Sequence, residues 1–256
     1  MAGPLEQFEV KKIVDLPDLF GIDFALTNST LAMTVAFGIV TLFLTVVTFR
    51  PQVVPGRVQM AGEVLYGMID DLASGIIGHE ARRFFPFVFT LFLFILVMNL
   101  LGLLLAFTAT SQLAVTATLG LMTIALVIIV GVLRNGFGFF LLFWPTGAPL
   151  LLRPVVGAIE FISFLLRPFT LALRLFGNML GGHVALKVFA GFVVSLGLLA
   201  AGGGVAVLGL PVAALSLGGV VALTALEFLV AFLQAFVFAV LTCIYINDVV
   251  NLGHGH

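Results

Sequence analysis

Residues 154–201 read PVVGAIEFISFLLRPFTLALRLFGNMLGGHVALKVFAGFVVSLGLLAA. Residues 205–247 read VAVLGLPVAALSLGGVVALTALEFLVAFLQAFVFAVLTCIYIN, and Gly202-Gly203-Gly204 stands between the two runs. Each run is over 40 residues long and mostly apolar. At about 1.5 Å per residue each would be about 60–70 Å long as one helix, roughly twice a bilayer core. Each therefore reads either as two spans or as one long, strongly tilted helix. Pro168 and Pro211 permit kinks in both arrangements.

Upstream lie three shorter apolar runs. Residues 31–49 are about long enough to cross a bilayer core, which takes roughly 20 residues, and Arg50-Pro51 ends the run. Residues 84–107 are rich in Phe and Leu, with Asn99 as the one strongly polar residue. Residues 115–133 are closed by Arg134-Asn135-Gly136. An aromatic segment, 137–144, then meets Pro145, Gly147 and Pro149 and reads as a re-entrant or interfacial turn. Residues 57–83 behave differently. Val58, Ala61, Leu65, Met68, Leu72 and Ile76 recur at steps of three and four, while Gln59, Glu63, Tyr66, Asp70 and Ser74 fall on another face. That is an amphipathic helix, too charged to span, expected to lie along a membrane surface.

Composition points the same way. The chain is 62% apolar and 9% charged, with a mean hydropathy of +1.28. A soluble domain carries about 25% charged residues, so a globular cytosolic enzyme is excluded. A net charge of -1 leaves no basic footprint, and no nucleic-acid partner is expected. The lone Cys243 excludes an internal disulfide and any multi-cysteine metal site. His254 and His256 are too few for a metal site, and no phosphate-binding glycine loop occurs, so no cofactor is expected. The expected fold is an all-α polytopic membrane protein. After a polar segment, 1–30, a single membrane domain, 31–256, holds one N-terminal span, a surface amphipathic helix and two further spans. Two long tilted antiparallel helices, about 155–201 and 205–250, complete it.

No basic start precedes a short apolar core and a cleavage site, so no cleaved signal peptide is read. Arg50, Arg57, Arg82 and Arg83 lie between the first two spans, and Arg134 and Arg153 follow the third. The arginine-bearing side is expected to be cytoplasmic or matrix, with the N-terminus outside and the C-terminus inside. No sequence repeat is found, which argues against an inverted-repeat transporter.

Polar residues inside the long runs are the candidates for function. In the first stand Glu160, Arg167, Arg174 and Asn178, followed by His183 and Lys187. In the second stand Glu227 and Gln234, then Asp248. An arginine at mid-membrane costs roughly 2.5–3.5 kcal/mol, so it should face protein or a water-filled cavity. Glu160, Arg167 and Arg174 are seven apart and share one helix face, drifting only ~20° per step. Asn178 joins that face, whereas His183, nine past Arg174, points away at ~100° per residue. Folded as a hairpin about Gly204, Arg174 comes level with Gln234, Glu160 with Asp248, and His183 with position 225, half a turn from Glu227. Two helices lining a polar aqueous path would explain that register. Arg167 and Lys187 read as snorkelling side chains, Asn99 as helix–helix glue, and Tyr245, Asn247 and Asp248 as an interface.

At Leu173-Arg174-Leu175-Phe176-Gly177-Asn178-Met179 the sequence resembles subunit a of the F-type ATP synthases, in the membrane (Fo) sector. A second match is Leu233-Gln234-Ala235-Phe236-Val237-Phe238, followed by Leu241-Thr242 and Tyr245. A third, weaker match is 92–104, with Met98-Asn99-Leu100. The resemblance implies two long tilted helices packed against a rotating ring of c subunits. Peripheral-stalk b subunits, other ATP synthase subunits and membrane lipid are the further implied partners. It implies that Arg174 is the essential arginine, a fixed charge facing the ring. Asn178 and Gln234 fall on its polar companions, and Glu160 on an acidic residue of the same helix. In some family members the acid stands at the position of 183 and the histidine at that of 227; here the two are exchanged. Such an exchange implies that His183 and Glu227 work in one aqueous cavity.

The implied function is a proton-translocating stator subunit without nucleotide chemistry of its own. Its place would be a bacterial inner membrane, or else a mitochondrial one. The rival from the residues alone is an independent cation/proton secondary transporter. It would need a complete midplane site, for which only Glu160 and Glu227 are at hand.

Overall fold

A computed structural model of the protein describes residues 12–15, 25–49, 51–104, 109–143, 152–201 and 209–251. The Gly202-Gly203-Gly204 turn, Arg50, the corner from Trp144 to Pro149, and His254 and His256 lie outside them. Six α-helices account for most of the described chain: α1 (Asn28–Phe49), α2 (Arg57–Ile77), α3 (Ala81–Leu104), α4 (Leu113–Asn135), α5 (Arg153–Ala201) and α6 (Gly209–Val250). Helix α5 is 49 residues and α6 is 42, each continuous, so neither long run breaks into two spans. Five helical stretches are long and apolar enough to cross a membrane: Asn28–Phe49, Arg57–Leu104, Leu113–Phe139, Arg153–Ser195 and Ala214–Val250. The protein is an all-α membrane protein in its apolar part.

One departure lies before α1. Strand β1 (Lys12–Asp15) pairs antiparallel with β2 (Ala25–Thr27), with Val14 opposite Leu26 and Asp15 opposite Ala25. The sequence reading has only a polar segment there. Strands of four and three residues are too short for alternation to register. Thr27 then starts α1. Its Oγ1 accepts from the Thr30 N–H at 3.3 Å, which satisfies one of the orphan donors of the first turn.

The chain divides into two compact units. One comprises Met1–Ala36, Met98–Gln112 and Leu175–Gln234. The other comprises Phe37–Val97, Leu113–Arg174 and Ala235–His256. The second holds most of the buried apolar side chains. From α3 it buries Phe84, Phe85, Val88, Phe89, Phe92 and Ile95. From α6 it buries Ala235, Phe238, Ala239, Thr242, Cys243, Tyr245, Ile246, Val249 and Val250. The α6 set recurs at three and four residues, the stripe of a helix packed along one face.

The amphipathic helix is shorter than its sequence pattern, and a different face is buried. Helix α2 stops at Ile77 because Gly78 adopts φ 75°, a left-handed conformation that costs glycine little. A 3-10 turn, Gly78–Glu80, then leads into α3. The buried residues are Gly62, Ile69, Ala73 and Ile77, whereas Val58 is 51% exposed. The apolar face read from the sequence lies beside the packed one. Gly62 and Ala73 let the neighbouring chain approach, and Ile69 and Ile77 fill the space between.

Polar groups clasp one end of the second unit. Arg134 Nη2 donates to Glu80 Oε1 at 3.1 Å, and its Nη1 lies 3.1 Å from Oε2 in the same ion pair. Asn135 Nδ2 donates to the Val249 carbonyl at 2.7 Å, and Asn251 Nδ2 to the Ile77 carbonyl at 3.3 Å. Both carbonyls belong to the last turns of their helices, where no intrahelical partner remains.

Candidate functional site

Within the second unit, α5 carries two arginines seven residues apart in contrasting settings. Arg167 Nη1 lies 2.7 Å from Asp248 Oδ2 on α6. Its guanidinium stands 4.9 Å from the centre of the Tyr245 ring and 5.7 Å from that of Phe164. Arg167 is therefore an ion-paired, ring-stacked residue and not a free snorkelling one. Asp248 takes the partner that the hairpin count did not supply: Glu160, placed level with it by that count, makes no hydrogen bond or ion pair among the described residues. Arg174 is exposed and likewise makes neither among the described residues. A guanidinium there carries its charge undiminished.

Within the first unit, α5 and α6 meet through small and polar groups. Asn178 Nδ2 donates to Gln234 Oε1 at 3.1 Å. Gln234 is 3% exposed, and its Nε2 has no hydrogen-bond partner among the described residues. The glycine count sets Gln234 level with Arg174, but its hydrogen bond goes to Asn178, one turn further along α5.

Glu227 presses against the backbone of α5. A Cβ placed on Gly182 would come 2.6 Å from Glu227 Oε1 and 3.1 Å from its carboxyl carbon. Only glycine leaves space for the carboxylate. Both Glu227 oxygens are buried, and neither has a hydrogen-bond partner among the described residues. His183, next in sequence to Gly182, is half-buried, as is Lys187. Asn99 is fully buried on α3 and donates from Nδ2 to the Ala231 carbonyl of α6 at 3.2 Å, while its Oδ1 has no partner among the described residues. It joins two helices, as glue should. Buried polar atoms left without a protein partner are sites that water fills.

Two features escape sequence reading. Gly182 is one of two adjacent glycines, and nothing in the sequence says that it opposes a carboxylate. Tyr245 reads as an interface residue, yet it is 7% exposed and serves as a platform for Arg167.

Comparison with known proteins gives these side chains a setting. Residues 30–247 match the ATP synthase A chain family. The chain belongs to the ATP synthase A chain family. Similar relatives are ATP synthase subunit a of Hyphomonas neptunium, 49% identical over 97% of this chain and 96% of the relative; that of Rhizobium rhizogenes, 50% identical over 99% of both; and that of Chelativorans sp., 48% identical over 98% of both. Membership in the ATP synthase A chain family makes the chain a membrane subunit of the Fo sector, working with other ATP synthase subunits in ATP synthesis and ion transport. The independent transporter is thereby set aside. The motif around Arg174 and the stretch around Gln234 both lie inside the residues that match the ATP synthase A chain family.

Proposed function

We propose that the chain is the proton-translocating stator subunit of a rotary ATP synthase, with Arg174 as the fixed charge that separates two aqueous half-channels. The observation that carries this reading is the state of Arg174: exposed, charged and without a counter-ion among the described residues. Arginine stays protonated across the accessible pH range, so it cannot hand protons on. It can only present a positive field. A ring carboxylate passing Arg174 is favoured in its ionised form. It must release its proton to one half-channel before passing and reload from the other afterwards. The same charge repels protons that would cross directly.

Along α5, Asn178 and His183 stand on one side of Arg174, and Glu160 on the other. Asn178, His183, Glu227 and Gln234 line the outer access path in this reading, and Glu160 belongs to the inner one. The unpaired oxygens of Glu227 and the unpaired Nε2 of Gln234 support a hydrated outer path. Each elementary charge falling through ~100 mV releases about 2.3 kcal/mol, which the ring converts to rotation. The partners are a ring of c subunits and the peripheral-stalk b subunits. The chain lies in a bacterial inner membrane, with the N-terminus outside and the C-terminus cytoplasmic. The face of α2 formed by Val58, Ala61 and Leu65 rests on lipid.

ATP-driven proton pumping in inverted vesicles tests the role of Arg174. Arg174→Ala should abolish pumping in fully assembled complexes. Arg174→Lys should fail largely too, because an ammonium deprotonates more readily and lacks the planar fork. Pumping near the parent rate by either variant overturns the reading.

A further inference from the structure

The two arginines on one face of α5 pose a problem for any fixed-charge separator. Seven residues put Arg167 about 10 Å along the helix from Arg174 and only ~20° around it. A second bare cation there would also draw a passing carboxylate toward ionisation, at a point where it has to hold or regain a proton. The structure gives Arg167 what Arg174 lacks. Asp248 Oδ2 stands 2.7 Å from its Nη1, and the faces of Tyr245 and Phe164 lie 4.9 and 5.7 Å from its guanidinium carbon. All four residues belong to the same compact unit.

We infer that Asp248 is a charge-masking residue: its carboxylate cancels Arg167, so that Arg174 acts as the uncompensated cation on this face of α5. The inference rests on the fixed-charge role proposed for Arg174. An ion pair is a dipole, and its field falls off faster with distance than that of a lone charge, so at Arg174 and beyond the pair is nearly silent. The aromatic walls hold the guanidinium against its partner and keep it from swinging along the helix. Asp248 touches no transported proton in this scheme. It acts through Arg167, as a positioning residue.

Charge masking and simple tethering of α5 to α6 predict different variant orders. If the pair only tethers, Asp248→Asn and Arg167→Gln do similar harm, and the double variant is no better than either. If Asp248 masks, Asp248→Asn is by far the worst, because it alone leaves a bare cation. Arg167→Gln should be mild, and Arg167→Gln/Asp248→Asn should restore pumping to within about twofold of the parent.

The experiment measures ATP-driven pumping in inverted vesicles against external pH, normalised to assembled complex. Asp248→Asn should lose at least tenfold at neutral pH. The alkaline limb of its profile should move to lower pH, since an added cation makes the reloading carboxylate harder to protonate. Among the described residues the charged and titratable groups around Arg167 are Asp248 and Tyr245 on α6 and Glu160 and Arg174 on its own helix, one seven residues to each side, and the double variant leaves the last three in place. Equal losses in the two single variants, or a double variant no better than Asp248→Asn, overturn the inference. Should Asp248→Asn fail to assemble, the double variant decides: assembled and active supports masking, absent or inactive refutes it. Arg174→Ala runs alongside as the separate control. If it pumps, the fixed-charge reading itself has failed; if it is dead while the masking order is absent, only Asp248 has been misassigned.

Discussion

The two compact units treat their polar side chains in opposite ways. In the unit that contains Phe37–Val97, Leu113–Arg174 and Ala235–His256, no fully buried side-chain polar atom of the described residues lacks a partner, and Arg167 pairs with Asp248, Asn135 with the Val249 carbonyl, and Asn251 with the Ile77 carbonyl. In the unit that contains Met98–Gln112 and Leu175–Gln234, several do not. Asn99 Oδ1, Thr110 Oγ1, both Glu227 oxygens and Gln234 Nε2 are buried without a hydrogen-bond partner among the described residues. Each such atom costs about 1–3 kcal/mol if left dry. Clustered in one unit, they are a cost that water removes. Polar groups that are paired hold helices together, while polar groups left open mark where water, and with it protons, can enter.

The contrast breaks first, if it breaks, at Glu227 and His183. Glu227→Ala and His183→Ala should each slow ATP-driven proton transport at least tenfold without making vesicles passively leaky. The exchange His183→Glu/Glu227→His should recover more activity than the two single losses imply, because side chains sharing one cavity are not additive. A double-mutant cycle on ATP synthesis rate, with passive leak followed in parallel, is the measurement. Additive losses would separate the two residues and end the shared-path reading.

Gly182 sharpens the same side of the comparison. Gly182→Ala puts a methyl 2.6 Å from Glu227 Oε1 and must displace the carboxylate. Transport should fall severalfold, with complex assembly unchanged. Gly181→Ala, whose added carbon meets nothing within 4 Å, should be close to the parent. Equal rates for both alanine variants would show that the carboxylate does not need its seat.

The smallest effect belongs to the paired unit. Asn135→Ala removes the donor to the Val249 carbonyl and should lower stability by about 1 kcal/mol. That is read as a lower midpoint of thermal dissociation in detergent. The pumping rate per assembled complex should not change. A loss of transport without a loss of stability would place Asn135 in the proton path and undo the division between the units.

The sequence by itself determined the class of fold and most of the candidate residues. Composition and run length are enough for a polytopic helical protein, because lipid accepts only apolar surface and a self-bonded backbone. Charged residues inside such runs are too costly to be incidental, which is why Arg174, Glu160 and Glu227 stand out without coordinates. Periodicity found α2 and its apolar face, but a helix with apolar residues on more than one face does not reveal that Gly62, Ile69, Ala73 and Ile77 are the residues that meet protein. The glycine count brought the correct two helices together and set His183 within half a turn of Glu227, which does stand against Gly182, but it levelled Gln234 with Arg174, one turn from the Asn178 that Gln234 bonds. The tertiary structure was needed to see that Asp248 belongs to Arg167, that Gly182 seats Glu227, and that Arg174, seven residues on from Arg167, has no counter-ion among the described residues. Those are facts of which atoms lie within a few ångströms across two helices, and a linear pattern of residue types carries no distance between chain segments that meet only on folding.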